Sequence, residues 1–120
     1  MDAKELRIGN LIMWEGNHHK ISSINSNGFV YITKKNLEPS RFLIQETKPI
    51  KLTEEWLIKL GFQLVRESQS YDLGNFYIEV DFSTPITFTY HSGMYSIKLE
   101  YIHQLQNLYY SIRREELIIK

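Results

Sequence analysis

The side chains with the most capacity for chemistry lie near the C-terminus, where apolar spacing predicts a helix from Ile102 to Arg113. Four of its side chains are spaced at i, i+3, i+4 and i+7 and so share one side: His103, Gln106, Asn107 and Tyr110. They could form a strip that binds a partner through donors, acceptors and a ring. They could equally form an internal seam, in which the amides bond neighbouring backbone and the histidine is satisfied. We expect Gln106 and Asn107 in a seam and Tyr110 at the surface.

Two carboxylates, Glu79 and Asp81, lie two residues apart on a predicted strand and therefore point to the same face. Such a pair could perform acid–base or metal chemistry. The pattern is also typical of a solvated sheet face. We favour the solvated face and expect a pairing with Lys98 on a nearby strand.

The sequence contains no pattern typical of a metal centre or a catalytic nucleophile. The four histidines, His18, His19, His91 and His103, show neither HxH nor HxxxH spacing, and the chain has no cysteine. Its serines and threonines match no nucleophile elbow, and its six glycines are scattered at turns, not gathered in a phosphate loop. We therefore expect no catalytic residue, no metal, no cofactor and no enzyme.

Nucleic acid is the alternative partner. Trp14, Phe29 and Tyr31 could stack on single-stranded bases, with Lys20, Lys34 and Lys35 beside the phosphates. Against this, fourteen basic residues balance fourteen acidic ones, so the formal net charge is zero. A dedicated DNA-binding protein usually carries a basic excess, and we rank this alternative second.

The 120 residues are long enough for one domain with a substantial core. Residues 1–47 read as short β-rich segments between tight turns, which predicts a curled antiparallel sheet of the SH3-like or partial-barrel kind. Residues 48–120 begin with a hinge at Pro49 and a helix over 54–60. Thr53 suits the helix N-cap, and Gly61 suits the left-handed residue that ends a helix.

The rest of the second zone alternates apolar and polar residues over 76–101, which predicts a three-stranded antiparallel meander that is wet on one face. Residues 62–73 are expected to add a fourth, less regular strand. The C-terminal helix carries an apolar stripe that should cover the apolar face of the meander. Residues 117–119 are apolar and β-prone, and we expect them to pair with another strand. The predicted class is α+β.

Three segments and a short closing motif resemble a known group of proteins. They are ELRIGN at 5–10, PIKLTEEWLIKLGF at 49–62, YIHQLQNLYY at 101–110 and EEL at 115–117. In this order they are similar to small proteins encoded by phages, prophages and other mobile elements of Bacteroides-type gut bacteria. The resemblance implies an accessory protein in a bacterial cytoplasm, and it carries over no catalytic residue.

Location and function follow as expectations. No apolar run follows residues 1–5 and no window approaches 18 apolar residues, so we expect neither a secretory signal nor a membrane span, and a cytoplasmic protein. The leading hypothesis is a non-catalytic phage or mobile-element accessory protein that binds a protein partner. A nucleic-acid-binding module is the alternative, and a homo-oligomer stays open.

Overall fold

The computed structural model describes residues 5–14, 16–24, 29–33, 39–43 and 47–119, and for 29–33 and 39–43 it describes the backbone alone. The architecture is α+β, as predicted. A four-stranded antiparallel sheet is followed by a short helix, a five-stranded antiparallel sheet and a C-terminal helix.

The first sheet contains four strands in sequential order: β1 (Leu11–Trp14), β2 (Asn17–Ile24), β3 (Phe29–Thr33) and β4 (Pro39–Leu43). Alternation along β1 divides its side chains between two faces. Leu11 joins the main core, whereas Ile12 points to the other face, where Ile21 is also fully buried. Among the described strands, β1 and β4 are the two ends of the sheet order and are not paired, so an SH3-like barrel stays a prediction.

The predicted hinge at Pro49 lies between two backbone pairings that join the sheets. Lys48 exchanges both backbone hydrogen bonds with Met13 of β1, at 2.8 and 2.9 Å. Two residues beyond Pro49, Lys51 bridges to Tyr101, which directly precedes the C-terminal helix. The segment therefore ties the first sheet to the second.

The short helix α1 spans Glu54–Lys59; the predicted N-cap and the left-handed Gly61 are confirmed, and the helix ends one residue before the predicted Leu60. The Thr53 hydroxyl accepts a hydrogen bond from the Trp56 backbone N–H at 3.3 Å. At the other end Gly61 has φ 96°, a left-handed conformation in which a side chain would be strained. The Phe62 N–H then donates to the Leu57 carbonyl, which completes a Schellman turn.

Helix α1 is attached to the second sheet by a polar contact. The Tyr71 hydroxyl donates to Glu54 Oε1 at 2.6 Å. Burial of the phenol, together with this bond and the nearby negative charge, raises the pKa of Tyr71 to about 12.

The second sheet is a meander of β5 (Gln63–Val65), β6 (Ser70–Leu73), β7 (Phe76–Asp81), β8 (Thr87–Ser92) and β9 (Tyr95–Leu99), in sequential order. The single strand predicted over 62–73 is in fact two. Helix α2 (Ile102–Arg113) covers the apolar face, as predicted. Its Leu105 is fully buried, and its Tyr109 ring meets Phe76 edge-on at 5.1 Å.

The strand pairing expected for residues 117–119 is wrong. Leu117 is almost fully buried, but residues 115–119 form no strand. The Leu117 carbonyl accepts instead from the Gln106 side chain, while Ile118 and Ile119 stay exposed. No helix in the described part of the chain has the length and apolarity needed to cross a membrane.

Candidate functional site

Gln106 occupies a buried position on α2 and uses both ends of its amide. Its Oε1 accepts from the Leu11 backbone N–H at 2.8 Å and from Asn10 Nδ2 at 3.4 Å. Its Nε2 donates to the backbone carbonyls of Leu117 and Gly9, at 3.1 and 3.3 Å. Only 1% of Gln106 is exposed, so these bonds replace water for every polar atom of the side chain. Gln106 is therefore a structural connector.

Asn107 is bonded in the same internal manner. Its Oδ1 accepts from Asn10 Nδ2 at 2.8 Å and from Arg7 Nε at 3.2 Å, and its Nδ2 donates to the Glu5 carbonyl at 2.9 Å. Asn10 is fully buried, and its Oδ1 accepts from the Arg7 backbone N–H. The expectation of an internal seam is thus confirmed for both amides of α2.

Arg7 extends this network to the surface. Its guanidinium forms a two-pronged ion pair with Glu116 and lies 4.3 Å from the centre of the Tyr110 ring. Tyr110 is exposed, as expected, but one side of its ring faces this cation. A side chain at Gly9 would approach the Glu116 carboxylate at 3.1 Å, and Gly9 has φ 98°.

We call this network of Arg7, Asn10, Gln106, Asn107 and Glu116 the polar seam. It brings together residues 5–10, 101–110 and 115–117, three of the segments singled out in the sequence. Their unusual polar residues bond mainly to one another and to nearby backbone. The predicted interaction strip is therefore internal at Gln106 and largely so at Asn107.

His103 departs from the expected satisfied histidine. It is buried, its ring stacks on Tyr101 at 5.9 Å, and its Nδ1 has no hydrogen-bond partner among the described residues. Burial lowers the pKa of His103 below its usual value, because the charged imidazolium loses its hydration, although Glu5 opposes this shift. A buried neutral imidazole fills space here and makes no contact with the polar seam through Nδ1.

The carboxylates of β7 lie on the wet face, but their expected partner is wrong. Glu79 Oε2 lies 2.6 Å from His91 Nε2, and the Ser96 hydroxyl lies 2.8 Å from His91 Nδ1. Lys98 is opposite Thr89, one strand further from β7. Hydroxyl, imidazole and carboxylate form a chain that resembles a catalytic relay. All three side chains are exposed on an open face, which is typical of a cross-strand polar ladder.

Asp81 has a local role at the end of β7. Its Oδ1 accepts from the Ser83 backbone N–H at 2.9 Å, and this bond lowers the pKa of Asp81. The two carboxylates therefore have separate partners. Nowhere in the described ranges do three His, Asp or Glu side chains come together as metal ligands.

Only some of the residues proposed to bind nucleic acid lie in the described part of the chain. Lys20 is exposed on β2, whereas the side chain of Tyr31 and residues 34 and 35 lie outside the described part of the chain. Lys20 and His18 line one side of a groove of about 730 Å³, together with the apolar Ile118 and Ile119. As far as the described residues go, the surroundings of Lys20 are therefore not a continuous basic stripe.

Among the large apolar side chains of the described residues, Met94 and Tyr95 are the most exposed, and Tyr95 lies on the strand face that the sequence predicted to be covered by the C-terminal helix. On the hairpin of β8 and β9, exposed fractions are 98% for Met94, 76% for Tyr95 and 41% for Ile97. Tyr95 and Ile97 alternate with Ser96 and lie on the same face as the buried Leu99. We call Met94, Tyr95 and Ile97 the hairpin surface.

The hairpin surface is exposed because the hairpin extends beyond its support. The recorded pairing of β7 with β8 runs from Asp81↔Thr87 to Glu79↔Thr89, whereas β8 and β9 stay paired out to Ser92↔Tyr95. The apolar face of the sheet therefore continues outward past the covered core. The alternation of apolar and polar residues predicted this face correctly, but it does not indicate how far along the strands the covering elements extend.

Comparison with protein-family models, curated proteins and solved structures found no match to this chain.

Proposed function

We propose that this chain is a non-catalytic accessory protein, of the phage or mobile-element kind, that binds a protein partner through the hairpin surface. The observation that supports it is the clustering of Met94, Tyr95 and Ile97 at one end of the second sheet. Isolated exposed apolar residues are ordinary, but a contiguous group on one hairpin favours an interface. Tyrosine and methionine are also enriched at protein interfaces.

The charges around the hairpin surface favour protein over nucleic acid. Lys98 is the single cation on β9, and the neighbouring polar ladder contains the carboxylate of Glu79. Binding to phosphates needs several lysines or arginines along a path. A neutral surface with exposed aromatic and aliphatic side chains is better suited to the apolar centre of a protein interface.

The test is affinity purification of bound partners from the source bacterium, with and without nuclease. We compare the parent with the double variant Tyr95→Ser, Ile97→Ser. Ile58→Ser is the control, because Ile58 is an aliphatic residue on α1, away from the hairpin, whose exposed fraction of 60% lies between those of Ile97 and Tyr95. The parent and the control should retain the same protein after nuclease, and the double variant should lose it.

Two results would contradict the proposal. Equal capture by the double variant would place the interface elsewhere. Loss of all capture on nuclease treatment would favour the nucleic-acid alternative.

A further inference from the structure

Within the described part of the chain, the outer edge of β9 has unpaired backbone groups. β9 is the last strand of the five-stranded sheet, so only one of its edges is paired, with β8. The Glu100 carbonyl accepts from the Leu52 N–H at 2.9 Å, which shows that the Glu100 backbone points away from β8. Backbone groups two residues apart on a strand point the same way. Ser96 and Lys98 therefore direct their N–H and C=O groups to the open side.

This edge is accessible over a defined length. The Leu52 segment occupies it only at Glu100, and residues 95–98 are all exposed. Among the backbone bonds of the described residues, none from another segment reaches Ser96 or Lys98. The opposite edge of the sheet belongs to β5, which has only three residues. β9 is thus the longer template for an added strand.

We propose that the partner binds by strand addition, as an extended segment that pairs with β9 and becomes the sixth strand of the sheet. This inference rests on the proposed function, and it specifies how the hairpin surface is used. Backbone hydrogen bonds to Ser96 and Lys98 hold the segment. Alternate apolar side chains of the segment pack beside Tyr95 and Ile97 on one face.

The charge on the other face selects the segment. Lys98 forms no ion pair with any described residue, and its neighbour on β8 is the neutral Thr89. An acidic residue of the added strand next to Lys98 supplies the missing opposite charge. The partner is therefore an extended segment with apolar residues at alternate positions and a carboxylate between them.

The same lysine disfavours a second copy of this chain. If Ser96 of one copy bonds Lys98 of another in an antiparallel pair, the two Lys98 side chains become diagonal neighbours on one face. Like charges at that spacing repel, and lysine on an edge strand commonly prevents self-pairing. An acidic foreign strand avoids this repulsion.

The probe is a blocked peptide, Thr-Thr-Val-Glu-Val-Thr-Thr, compared with its counterpart in which Lys replaces Glu. Binding to the full chain is followed by backbone amide NMR. The amides of Ser96 and Lys98 should shift and exchange more slowly with the Glu peptide. The Ile97 amide is the internal control, because it points to its partner Tyr90 on β8.

Two variants separate backbone pairing from side-chain contact. Ser96→Pro removes the outward N–H, which the β8–β9 ladder does not use, and Ser96→Ala keeps it. The proline variant should bind the Glu peptide about tenfold more weakly than the alanine variant, as for one lost hydrogen bond. Lys98→Glu should reverse the preference between the two peptides. If Ser96→Pro does not fold, the charge reversal at Lys98 decides the question.

Three outcomes would overturn strand addition. The first is an absence of shifts at Ser96 and Lys98 with either peptide. The second is equal partner capture by Ser96→Pro and Ser96→Ala while capture still depends on Tyr95 and Ile97, which would leave the proposed function intact. The third is protection of the same amides without peptide in a sedimenting dimer, which would identify a second copy as the occupant.

Discussion

Replacing Gln106 with methionine measures what the polar seam contributes to stability. Methionine has a similar length but neither a strong donor nor a strong acceptor. The change leaves the Leu11 N–H and the Leu117 carbonyl without partners, after bonds of 2.8 and 3.1 Å. A buried group left unpaired costs about 1–3 kcal/mol. The bonds to Gly9 and Asn10, at 3.3 and 3.4 Å, are long and add little.

The expected loss is therefore about 2–6 kcal/mol, a large share of the roughly 5–15 kcal/mol that stabilises a typical domain. Urea unfolding followed by circular dichroism measures it, with an unchanged m-value as the sign that the unfolded state is unaffected. Gln63→Met on the exposed strand β5 is the control and should stay within about 0.5 kcal/mol of the parent. A Gln106→Met protein as stable as this control would refute the assigned role of the seam.

Three further changes test other features. In thermal melts, Thr53→Ala should lower the stability by about 1 kcal/mol, because the N-cap hydrogen bond to the Trp56 N–H is lost. Gly61→Val should lower it further, because a β-branched residue resists positive φ. A Gly61→Val protein that melts at the same temperature as the parent would contradict this. His103 binds a proton more weakly when folded, so stability should fall as the pH drops below about 6.5, and His103→Phe should flatten that dependence; equal slopes for both proteins would exclude the histidine. Tyr71→Phe should cost about 1.5–3 kcal/mol at neutral pH, since a bond to a carboxylate is lost. It should also remove a phase near pH 12 from an absorbance titration, because the pKa of Tyr71 is raised to about 12; a phase there that persists would point to another tyrosine.

Features that depend on neighbouring residues in the chain could be predicted from the sequence. The ends of α1 follow from Thr53 and Gly61, which act on backbone groups within four residues. The faces of β7 follow from alternation, because a side chain on a strand must point opposite to its neighbours. The polar residues of α2 were recognised as a set because helical geometry places them on one side.

Features that depend on distant pairing could not be predicted. The partner of Glu79 was wrong because the register of β8 brings His91 to the carboxylate and leaves Lys98 a strand away. The role of Arg7 was missed because its ion-pair partner Glu116 is 109 positions further on. A pattern among neighbouring residues cannot indicate a partner so far away in the sequence. The exposure of Tyr95 was missed for a similar reason: how much of a sheet face is covered depends on how whole helices and strands pack against each other.

The long separations within the polar seam constrain how the chain folds during synthesis. Arg7, Asn10 and Leu11 leave the ribosome early, but the side chains that complete their hydrogen bonds emerge 95 to 109 residues later. Until then β1 has its hairpin partner, yet the Asn10 side-chain Nδ2 and the Leu11 N–H, which later bond to α2, have only water. The nascent N-terminal sheet must therefore remain soluble with an incomplete interior, and folding ends in one late, non-local step. A ribosome that stalls before α2 would display an unfinished sheet to chaperones and proteases.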